Sequence, residues 1–455
     1  MRATSLLLLL NLTLFSLHAF SQAAAEIRVE PPHWWVGMNN DTVQVMLHGN
    51  FDTDTEVELR PYAGVELIAT TRPSEHYVFI DLIIANDTEP GTLEIDLIGT
   101  WNITLDYSLK ARKPGSGSRE GFDASDVLYL ITPDRFANGD TENDTVEEMK
   151  EAADRSFHGG RHGGDLRGII DHLDYIDQMG FTAIWINPIL ENDMPRWSYH
   201  GYSTTDFYRI DPRYGSLEEY KELVTESEKR GIKIIQDMIE NHCGSEHWWM
   251  DDLPFKDWIN GNGEYRQTSH QHEVVQDPYA SDYDTDAFNK GWFVRTMPDL
   301  NQQNPYMATY LIQNSIWWIE EVGLSGIRQD TYPYADKTFM AQWAKAILSE
   351  YPLLNIVGEE WNYEVPRVAY WQDGSSNEDG YRSYLPSVMD FPLQLAIGQA
   401  FDGNAQNDEG LKELYRCLAL DFLYPAPQDL VTFADNHDMD RIYARIGEDL
   451  ERWKM

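Results

Sequence analysis

The sequence is poor in cysteine, with only Cys243 and Cys417 among its 455 residues. Their spacing is not one that predicts a disulfide framework or a metal motif. Cys243 directly follows His242, whereas Cys417 lies in a segment of helical character, residues 411–421. An export signal would permit a disulfide, but these two positions do not favour a bridge.

Basic residues are also scarce. The 76 aspartates and glutamates outnumber the 35 lysines and arginines, which gives a formal net charge of −41. A surface of this charge repels nucleic acids and anionic membranes, so the composition disfavours both as partners. The charge does not decide the fold, but it is compatible with a soluble secreted protein.

Long apolar runs are missing after the first 25 residues, and no later stretch is long enough to span a bilayer. Residues 1–22 have the pattern of a signal peptide, in which Arg2 gives a positive start and residues 6–20 are mostly apolar. A membrane anchor is the weaker alternative, because Asn11 and His18 interrupt the apolar run. We therefore predict a secreted protein that is free of the membrane once the signal is cleaved.

Residues 26–112 predict a separate N-terminal domain. Short runs of alternating apolar and polar residues recur there between turn residues, and no helical period is seen. This pattern is typical of a small antiparallel β-sandwich of the immunoglobulin-like kind. Trp34 and Trp35 could stack on sugars, but the favoured interpretation is that they are core or interface residues. Residues 113–124 have the composition of a linker.

From residue 125 to 455 strand and helix patterns alternate, which is typical of the α/β class and of a (β/α)8 TIM barrel. Helices are expected at 216–230 and 306–322, among others. Residues 243–300 form an insertion after the third strand and have no clear period. Strands are predicted at about 127–131, 183–187, 232–237, 326–330, 354–359, 386–390 and 430–434.

Carboxylates follow several of these strands directly, at the end where barrels collect their chemistry. In the segment Gly326-Ile-Arg-Gln-Asp330, alternate side chains share a face, so Arg328 and Asp330 should point together. Taken alone, this pair is more typical of a structural ion pair. The segments 237–242, 358–361 and 433–438 each add carboxylates or histidines at another strand end.

In order and spacing, these segments resemble the signature segments of the α-amylase superfamily of glycoside hydrolases. The segment 297–301 and the start of the N-terminal domain, residues 29–38, are similar to the cyclomaltodextrinase and neopullulanase subgroup of periplasmic type. The resemblance implies that the insertion is domain B, which forms one wall of the cleft. One departure is Gln329, because the family usually has an apolar residue there.

The resemblance also implies catalytic roles. Hydrolysis of a glycosidic bond usually needs one ionised and one protonated carboxyl group. Asp330 would be the nucleophile, Glu359 the general acid/base, and Asp438 the third carboxylate that stabilises the transition state. We expect Arg328 to lower the pKa of Asp330 and nearby carboxylates to raise that of Glu359. Glu360 is the alternative to Glu359, but it should face away from the barrel mouth.

Further residues would bind the substrate. By the same resemblance, Tyr202 stacks on the sugar at the cleavage site, and His242 and His437 hydrogen-bond the same ring. Arg328 completes this set beside the nucleophile. Asp237 and Asn241 match positions that support the site without reacting.

A calcium site is the expected cofactor site. Residues 138–144 and 163–165 are rich in the oxygen ligands that calcium prefers, although a solvated acidic loop would have the same composition. Their spacing resembles the calcium loop of cyclodextrin-processing relatives. A second site at Asn241 and Asp299 is the less favoured possibility. The expected ligands are Asn138, Asp140, Asn143, Asp144 and Asp165 through side chains and Gly163 through its carbonyl.

Only residues 439–455 follow the last segment, whereas the family continues with an eighth strand and a C-terminal β-domain. We therefore expect a piece of a longer protein, with a natural seven-stranded barrel as the alternative.

The resulting hypothesis is a secreted, periplasmic, retaining hydrolase of α-glucans or cyclodextrins. An α-amylase acting on starch fragments and a non-catalytic glucan-binding homologue or inactive fragment are the alternatives. The sequence leaves the preferred α-glucan and the oligomeric state open.

Overall fold

The computed structural model describes residues 27–52, 54–100, 102–401 and 410–454. The predicted signal peptide, residues 1–22, lies outside these ranges and stays a prediction. The described chain divides into two units, the first ending at Pro114 and also taking in Leu253–Phe255, and the second holding the remainder from Gly115.

The first unit is built from two four-stranded sheets. One has the strand order β1-β3-β6-β5 and is antiparallel, and the other has the order β2-β8-β7-β4 with β2 parallel to β8. Alternation sets the inner faces, since Leu93, Ile95 and Leu97 of β7 are buried. The eight strands are β1 Arg28–Glu30, β2 His33–Val36, β3 Thr42–His48, β4 Glu56–Leu59, β5 Val65–Thr71, β6 Tyr77–Ile84, β7 Gly91–Ile98 and β8 Ile103–Ala111.

Trp34 and Trp35 are buried, with 2% and 4% of their surface exposed. Sugar stacking needs an open aromatic face, so the interpretation as core or interface residues is the one that agrees with the structure.

The second unit contains a curled parallel sheet of six strands. Neighbours pair in parallel in the order β9-β10-β13-β14-β15-β16, while β11 (Leu190–Glu191) and β12 (Asp206–Ile210) form a separate antiparallel pair. This confirms the predicted barrel class. The six strands are β9 Leu128–Ile131, β10 Ala183–Ile186, β13 Lys233–Met238, β14 Gly326–Gln329, β15 Asn355–Gly358 and β16 Ser387–Val388.

The predicted strand at 430–434 is reduced to a single residue. Val431 forms one parallel bridge with Met389, in which the Val431 amide donates to the carbonyl of Val388 and Asp390 donates to that of Val431. The prediction of a full strand is therefore wrong for this segment. The apolar run of 430–433 is real, but β16 itself has only two residues, and this leaves little ladder for a neighbour to pair with.

Helices connect the strands of the second unit. The longest ones surround β14: α6 begins at the N-cap Asn304, whose side chain accepts from the amides of Tyr306 and Met307. It continues as a π-helical turn to Gly323, whose φ of 95° ends the helix and turns the chain into β14. The helices are α1 Pro133–Phe136, α2 Leu166–Asp171, α3 Leu173–Gln178, α4 Leu217–Glu228, α5 Asp282–Asn289, α6 Pro305–Trp318, α7 Lys337–Glu350, α8 Val365–Ala369, α9 Phe391–Phe401, α10 Leu411–Leu418, α11 Ile442–Arg445 and α12 Leu450–Trp453.

The middle strands of the sheet are buried on both faces, as expected for parallel strands covered by helices. Gly326 allows Phe122 to pack on the start of β14, because a Cβ there would lie 2.5 Å from the Phe122 ring. Gln329 is also fully buried and donates to the carbonyl of Asp330 at 3.2 Å.

The insertion 243–300 is mostly irregular, but it holds α5, which the sequence period did not predict. Ser281 caps α5 by accepting from the Asp284 amide. The helix has eight residues, too few for a clear apolar period. No helix in the described part of the chain has the length and apolar character needed to cross a membrane.

Candidate active site

Arg328 lies at the centre of a cluster of buried carboxylates. Its Nη1 donates to Oδ1 of Asp330 at 2.7 Å and to Oδ1 of Asp237 at 2.8 Å. Its Nη2 lies 2.8 Å from Oε2 of Glu359. The strand register produces this arrangement, because Asp237 on β13 is paired with Arg328 on β14, and Glu359 follows β15 directly. One guanidinium therefore holds carboxylates from three adjacent strands.

Burial dominates the electrostatics of this cluster. It raises the pKa of Asp237 to about 7. Burial also raises the pKa values of Asp330 and Glu359, and Arg328 opposes the rise in both cases. The expected lowering by Arg328 is thus present as a contribution, but the expected net lowering for Asp330 is wrong because desolvation outweighs it.

Glu359 and Glu360 point in different directions, as their neighbouring positions on the chain lead us to expect. Glu359 lines the cleft and accepts from the Thr331 amide at 2.9 Å. Glu360 instead accepts from Trp371 Nε1 at 2.8 Å and lies 3.1 Å from Nδ1 of His272. Only Glu359 of the two is placed to reach a ligand in the cleft.

A cleft of about 700 Å³ opens above the cluster. Its size suits an oligosaccharide segment, and its walls mix aromatic with polar side chains, as ligand sites generally do. Arg328 is fully buried beneath it. Six of the sequence-predicted residues line the cleft: Tyr202, His242, Asp330, Glu359, His437 and Asp438.

Tyr202 is fixed by its hydroxyl group. The hydroxyl donates to Oδ2 of Asp237 at 2.8 Å, accepts from Nδ2 of Asn187 at 2.7 Å, and lies 2.9 Å from Nε2 of His437. Trp185 Nε1 donates to the same Asp237 oxygen at 2.9 Å. Asp237 therefore orients Tyr202 and Arg328 at once.

Three of the histidines that line the cleft, His200, His242 and His437, have pKa values lowered by burial, which favours their neutral form. Burial lowers the pKa of His242 to about 4, that of His200 to about 4 and that of His437 to about 3. Neutral imidazoles can hydrogen-bond sugar hydroxyls without repelling positive charge that develops on the sugar ring.

Asp438 differs from the other carboxylates because its side chain is 39% exposed and lies at the cleft edge. Its Oδ2 is 3.3 Å from Nε2 of His437. Burial, with Glu359 adding, raises its pKa to about 6, and Arg328 opposes the rise. The structure thus brings all three predicted carboxylates to one cleft.

Two groups of cleft residues were missed by the sequence analysis. Thr331 contacts both Asp330 and Glu359. In the same turn, the Tyr334 amide donates to the Thr331 carbonyl, and the Tyr334 hydroxyl lies 2.8 Å from His272 Nε2 and 3.1 Å from His270 Nδ1. The histidines come from the insertion, where no period indicates which residues face the cleft.

The residues of the expected calcium loop lie close together. Asp165, the N-cap of α2, accepts from the amides of Gly139 and Asp140 at 2.9 and 2.8 Å. A Cβ on Gly163 would lie 2.3 Å from Oδ1 of Asp144, which shows how closely these segments approach.

Two atoms in this loop fit a cation. The Oδ1 atoms of Asn138 and Asn143 are buried and have no hydrogen-bond partner among the described residues. Buried polar atoms are normally satisfied, so unpaired oxygens suit a hard cation. However, no group of three or more His, Cys, Asp or Glu side chains in the described ranges is arranged to hold a metal. Any ion here would therefore need amide and carbonyl oxygens in addition to carboxylates.

The fold and the cleft define a parallel (β/α)-barrel protein with clustered carboxylates at the carboxyl ends of its strands. Residues 130–455 match the family described as alpha amylase, catalytic domain, and the chain therefore belongs to the α-amylase family. Residues 28–113 match the family described as cyclomaltodextrinase, N-terminal.

Similar proteins agree with this assignment. Neopullulanase 2 of Thermoactinomyces vulgaris is 31% identical over 340 residues, which are 72% of this chain and 52% of that protein. A cyclomaltodextrinase of Geobacillus thermopakistaniensis (strain MAS1) is 31% identical over 335 residues, again 72% of this chain and 52% of the relative. The chain thus spans about half the length of these curated relatives.

Among solved structures, an α-amylase of Anoxybacillus is similar with a TM-score of 0.60 and 32% identity. The similarity covers 74% of this chain and 65% of that one.

Proposed function

We propose that this chain is a retaining glycoside hydrolase that cleaves α-1,4-glucosidic bonds in cyclodextrins, pullulan or starch-derived maltooligosaccharides. The observation that carries the proposal is the contact of one buried guanidinium, that of Arg328, with Asp330 at 2.7 Å and Glu359 at 2.8 Å in the floor of the cleft. Two carboxyl groups held by one guanidinium suit a covalent mechanism, in which the two groups usually lie about 5–5.5 Å apart.

In the first step, an oxygen of Asp330 attacks the anomeric carbon and forms a glycosyl ester. The bond to the leaving oxygen breaks as Glu359 transfers its proton to that oxygen. Asp330 is the better candidate for the ionised partner, because its carboxylate accepts hydrogen bonds from Arg328 and from Thr331. Glu359 accepts from the Thr331 amide and lies 2.8 Å from Nη2 of Arg328. Burial raises its pKa and Asp330 adds to the rise, while Arg328 opposes it.

In the second step, Glu359 takes a proton from a water molecule, whose oxygen attacks the anomeric carbon opposite the ester bond, on the face from which the leaving group departed. The ester bond breaks and returns the carboxylate to Asp330. Asp438 and the neutral His242 and His437 line the same cleft, where they can hold sugar hydroxyls during both steps. Each step inverts the configuration of the anomeric carbon, so the two steps together retain the α configuration.

The substrate class rests on the relatives and on the cleft. The relatives are named neopullulanase and cyclomaltodextrinase, and the N-terminal domain matches the cyclomaltodextrinase family. Aromatic residues such as Tyr202, Phe293 and Trp361 line the cleft and offer faces for the apolar side of a pyranose ring.

The test is a product analysis on cyclodextrin, pullulan and soluble starch, with Asp330→Asn as the matched variant. Proton NMR of the first product should show the α-anomer, and the variant should lose activity by at least about 10³-fold. A β-anomeric first product, or near wild-type turnover by the variant, would refute the mechanism. The ratio of rates on the three substrates would identify the preferred one.

We also propose that calcium binds the loop formed by residues 138–144 and 163–165. The unpaired Oδ1 atoms of Asn138 and Asn143 support this, together with the nearby carboxylates of Asp140, Asp144 and Asp165 and the carbonyl of Gly163. The ion would supply structural support, because it would join the segment after β9 to the N-terminus of α2.

A further inference from the structure

Thr331, like Arg328, contacts both reacting carboxylates, and it does so with its hydroxyl and its backbone amide. Its hydroxyl Oγ1 donates to Oδ2 of Asp330 at 3.1 Å, and its backbone amide donates to Oε2 of Glu359 at 2.9 Å. Arg328 occupies the other oxygen of Asp330, Oδ1, at 2.7 Å. Both oxygens of Asp330 are therefore fixed, one by a cation and one by a neutral hydroxyl.

The backbone of Thr331 is in an unusual conformation that makes this double contact possible. Its φ is 43°, in the left-handed region that β-branched residues rarely adopt. Such a conformation persists where its surroundings over-determine it, and it is frequent at active sites. Here the turn directs the amide toward Glu359 while the side chain remains beside Asp330.

The hydroxyl favours the ionised form of Asp330, because a hydrogen bond donated to a carboxylate stabilises its charge. Burial raises the pKa of Asp330, whereas Arg328 and Thr331 both lower it. The other groups near this carboxylate are anionic or phenolic and do not donate to it. The charged and titratable groups that face Asp330 are Arg328 on β14, Asp237 on β13, Glu359 after β15, Asp438 after the Val431 bridge, Tyr202, and Tyr334 before α7.

We propose that Thr331 is a positioning residue of the hydrolase, which fixes the nucleophile through its hydroxyl and the acid/base through its amide. This inference rests on the proposed function, since it assigns Asp330 and Glu359 their reacting roles. Oδ2 is the oxygen of Asp330 without a cation, so it is the one free to attack the anomeric carbon. The hydroxyl of Thr331 keeps this oxygen oriented in the free enzyme and donates to it again when the ester breaks.

The experiment compares two pairs of proteins. Within each pair, one protein has the hydroxyl group at position 331 and the other lacks it. Wild type is compared with Thr331→Val, which keeps the β-branched shape and hence the same backbone strain. Thr331→Ser is compared with Thr331→Ala, so that the test does not depend on one variant folding. Thermal melts establish that each protein is folded before kinetics on a maltooligosaccharide are measured over a range of pH.

Loss of the hydroxyl should lower kcat about tenfold with KM little changed, since a hydrogen bond to a charged group is lost. In Thr331→Val and Thr331→Ala, the acid limb of the pH–activity profile should shift to higher pH by about one unit, because the ionised form of Asp330 loses a hydrogen bond. Thr331→Ser should keep the wild-type limb. An unchanged kcat and acid limb would overturn the proposal. A raised KM with unchanged kcat would also overturn it, because this would indicate a direct substrate contact.

A measurement that needs no turnover separates this inference from the proposed function. Infrared difference titration follows the carboxyl bands of the buried pair in wild type, Thr331→Val and Thr331→Ser. If the wild type cleaves no α-glucan, the proposed function is wrong. The positioning role still stands in that case if the carboxyl titration shifts to higher pH in Thr331→Val but not in Thr331→Ser. If the wild type is active and the titrations coincide, the positioning role is wrong.

Discussion

The Nη2 atom of Arg328 lies 2.8 Å from Oε2 of Glu359, although the sequence pairs this arginine with Asp330. Arg328 thus contacts the proposed nucleophile and the proposed acid/base with one rigid, planar group. A guanidinium can do this because its nitrogens point in fixed directions, whereas an ammonium is a single point charge. The arginine side chain therefore holds the two carboxylates to one rigid group.

Arg328→Lys should test this relationship. We expect kcat to fall at least about 10²-fold, because the shorter-reaching ammonium cannot hold Asp237, Asp330 and Glu359 together. The acid limb of the activity profile should also move upward, since the pKa values of both reacting carboxyls lose a lowering contribution. Kinetics across pH provide the measurement. Wild-type kcat in the folded variant would contradict the proposed role of the guanidinium.

Glu359→Gln and Glu360→Gln form a second, matched pair. Glu359→Gln should lower kcat by about 10²–10⁴-fold, because a general acid is removed. Glu360→Gln should affect kcat much less, since Glu360 points to Trp371 and His272 and not into the cleft. A substrate with an activated leaving group, which needs no proton, should recover much of the first loss. Equal losses in both variants would contradict the assignment.

The orientation of Arg328 and Asp330 could be predicted because alternation along a strand is a local property. The contact of Arg328 with Asp237 and Glu359 could not, because it depends on the register between three strands that are far apart in the chain. Thr331 was missed for a related reason. Its role depends on a backbone φ that its residue type disfavours, so a propensity argument points the wrong way.

The sheet was predicted in class and strand position, but the 430–434 segment was not predicted correctly. An apolar run indicates that a segment is buried, and Val431 does pack beside Met389. It does not indicate how many ladder bonds form, because that number is limited by the neighbouring strand, here two residues long. The short helix α5 escaped prediction because eight residues give only two turns of apolar period.

Glu240 should make stability depend on pH. It is buried beside Ser315, whose hydroxyl donates to Oε1 at 2.9 Å, and burial raises its pKa from 4.5 to about 8. The folded state then binds a proton that the unfolded state releases above its own pKa. The stability contributed by the protonated group is full below about pH 4.5 and is lost as pH rises through about 8, by about 1.4 kcal/mol per pH unit.

Glu240→Gln should remove this dependence, because the amide resembles the protonated acid and does not ionise. The free energy of unfolding of the variant should increase relative to that of wild type between pH 5 and pH 9, because only the wild type loses stability over this range, and denaturant titration measures this. The exposed Glu228→Gln serves as the control and should show no such trend. A difference between Glu240→Gln and wild type that stays constant over this range would show that Glu240 does not titrate there.

Calcium should stabilise the folded chain if the proposed loop site exists. The oxygens of Asn138 and Asn143 converge only in the folded loop, so an ion that binds there shifts the equilibrium away from the unfolded state. The gain should reach about 2.7 kcal/mol when calcium exceeds its Kd about 100-fold. Thermal melts of protein treated with chelator, with and without added calcium, measure this difference.

Asp140→Ala should abolish most of the stabilisation by calcium, whereas Asp177→Ala, which removes an exposed carboxylate outside the loop, should retain it. Magnesium is the ion control, because it demands a tighter octahedral site and dehydrates reluctantly, and we therefore expect a smaller shift. Identical melts with chelator and with calcium in the wild type would refute the site, and an equal shift in both variants would place the bound calcium elsewhere.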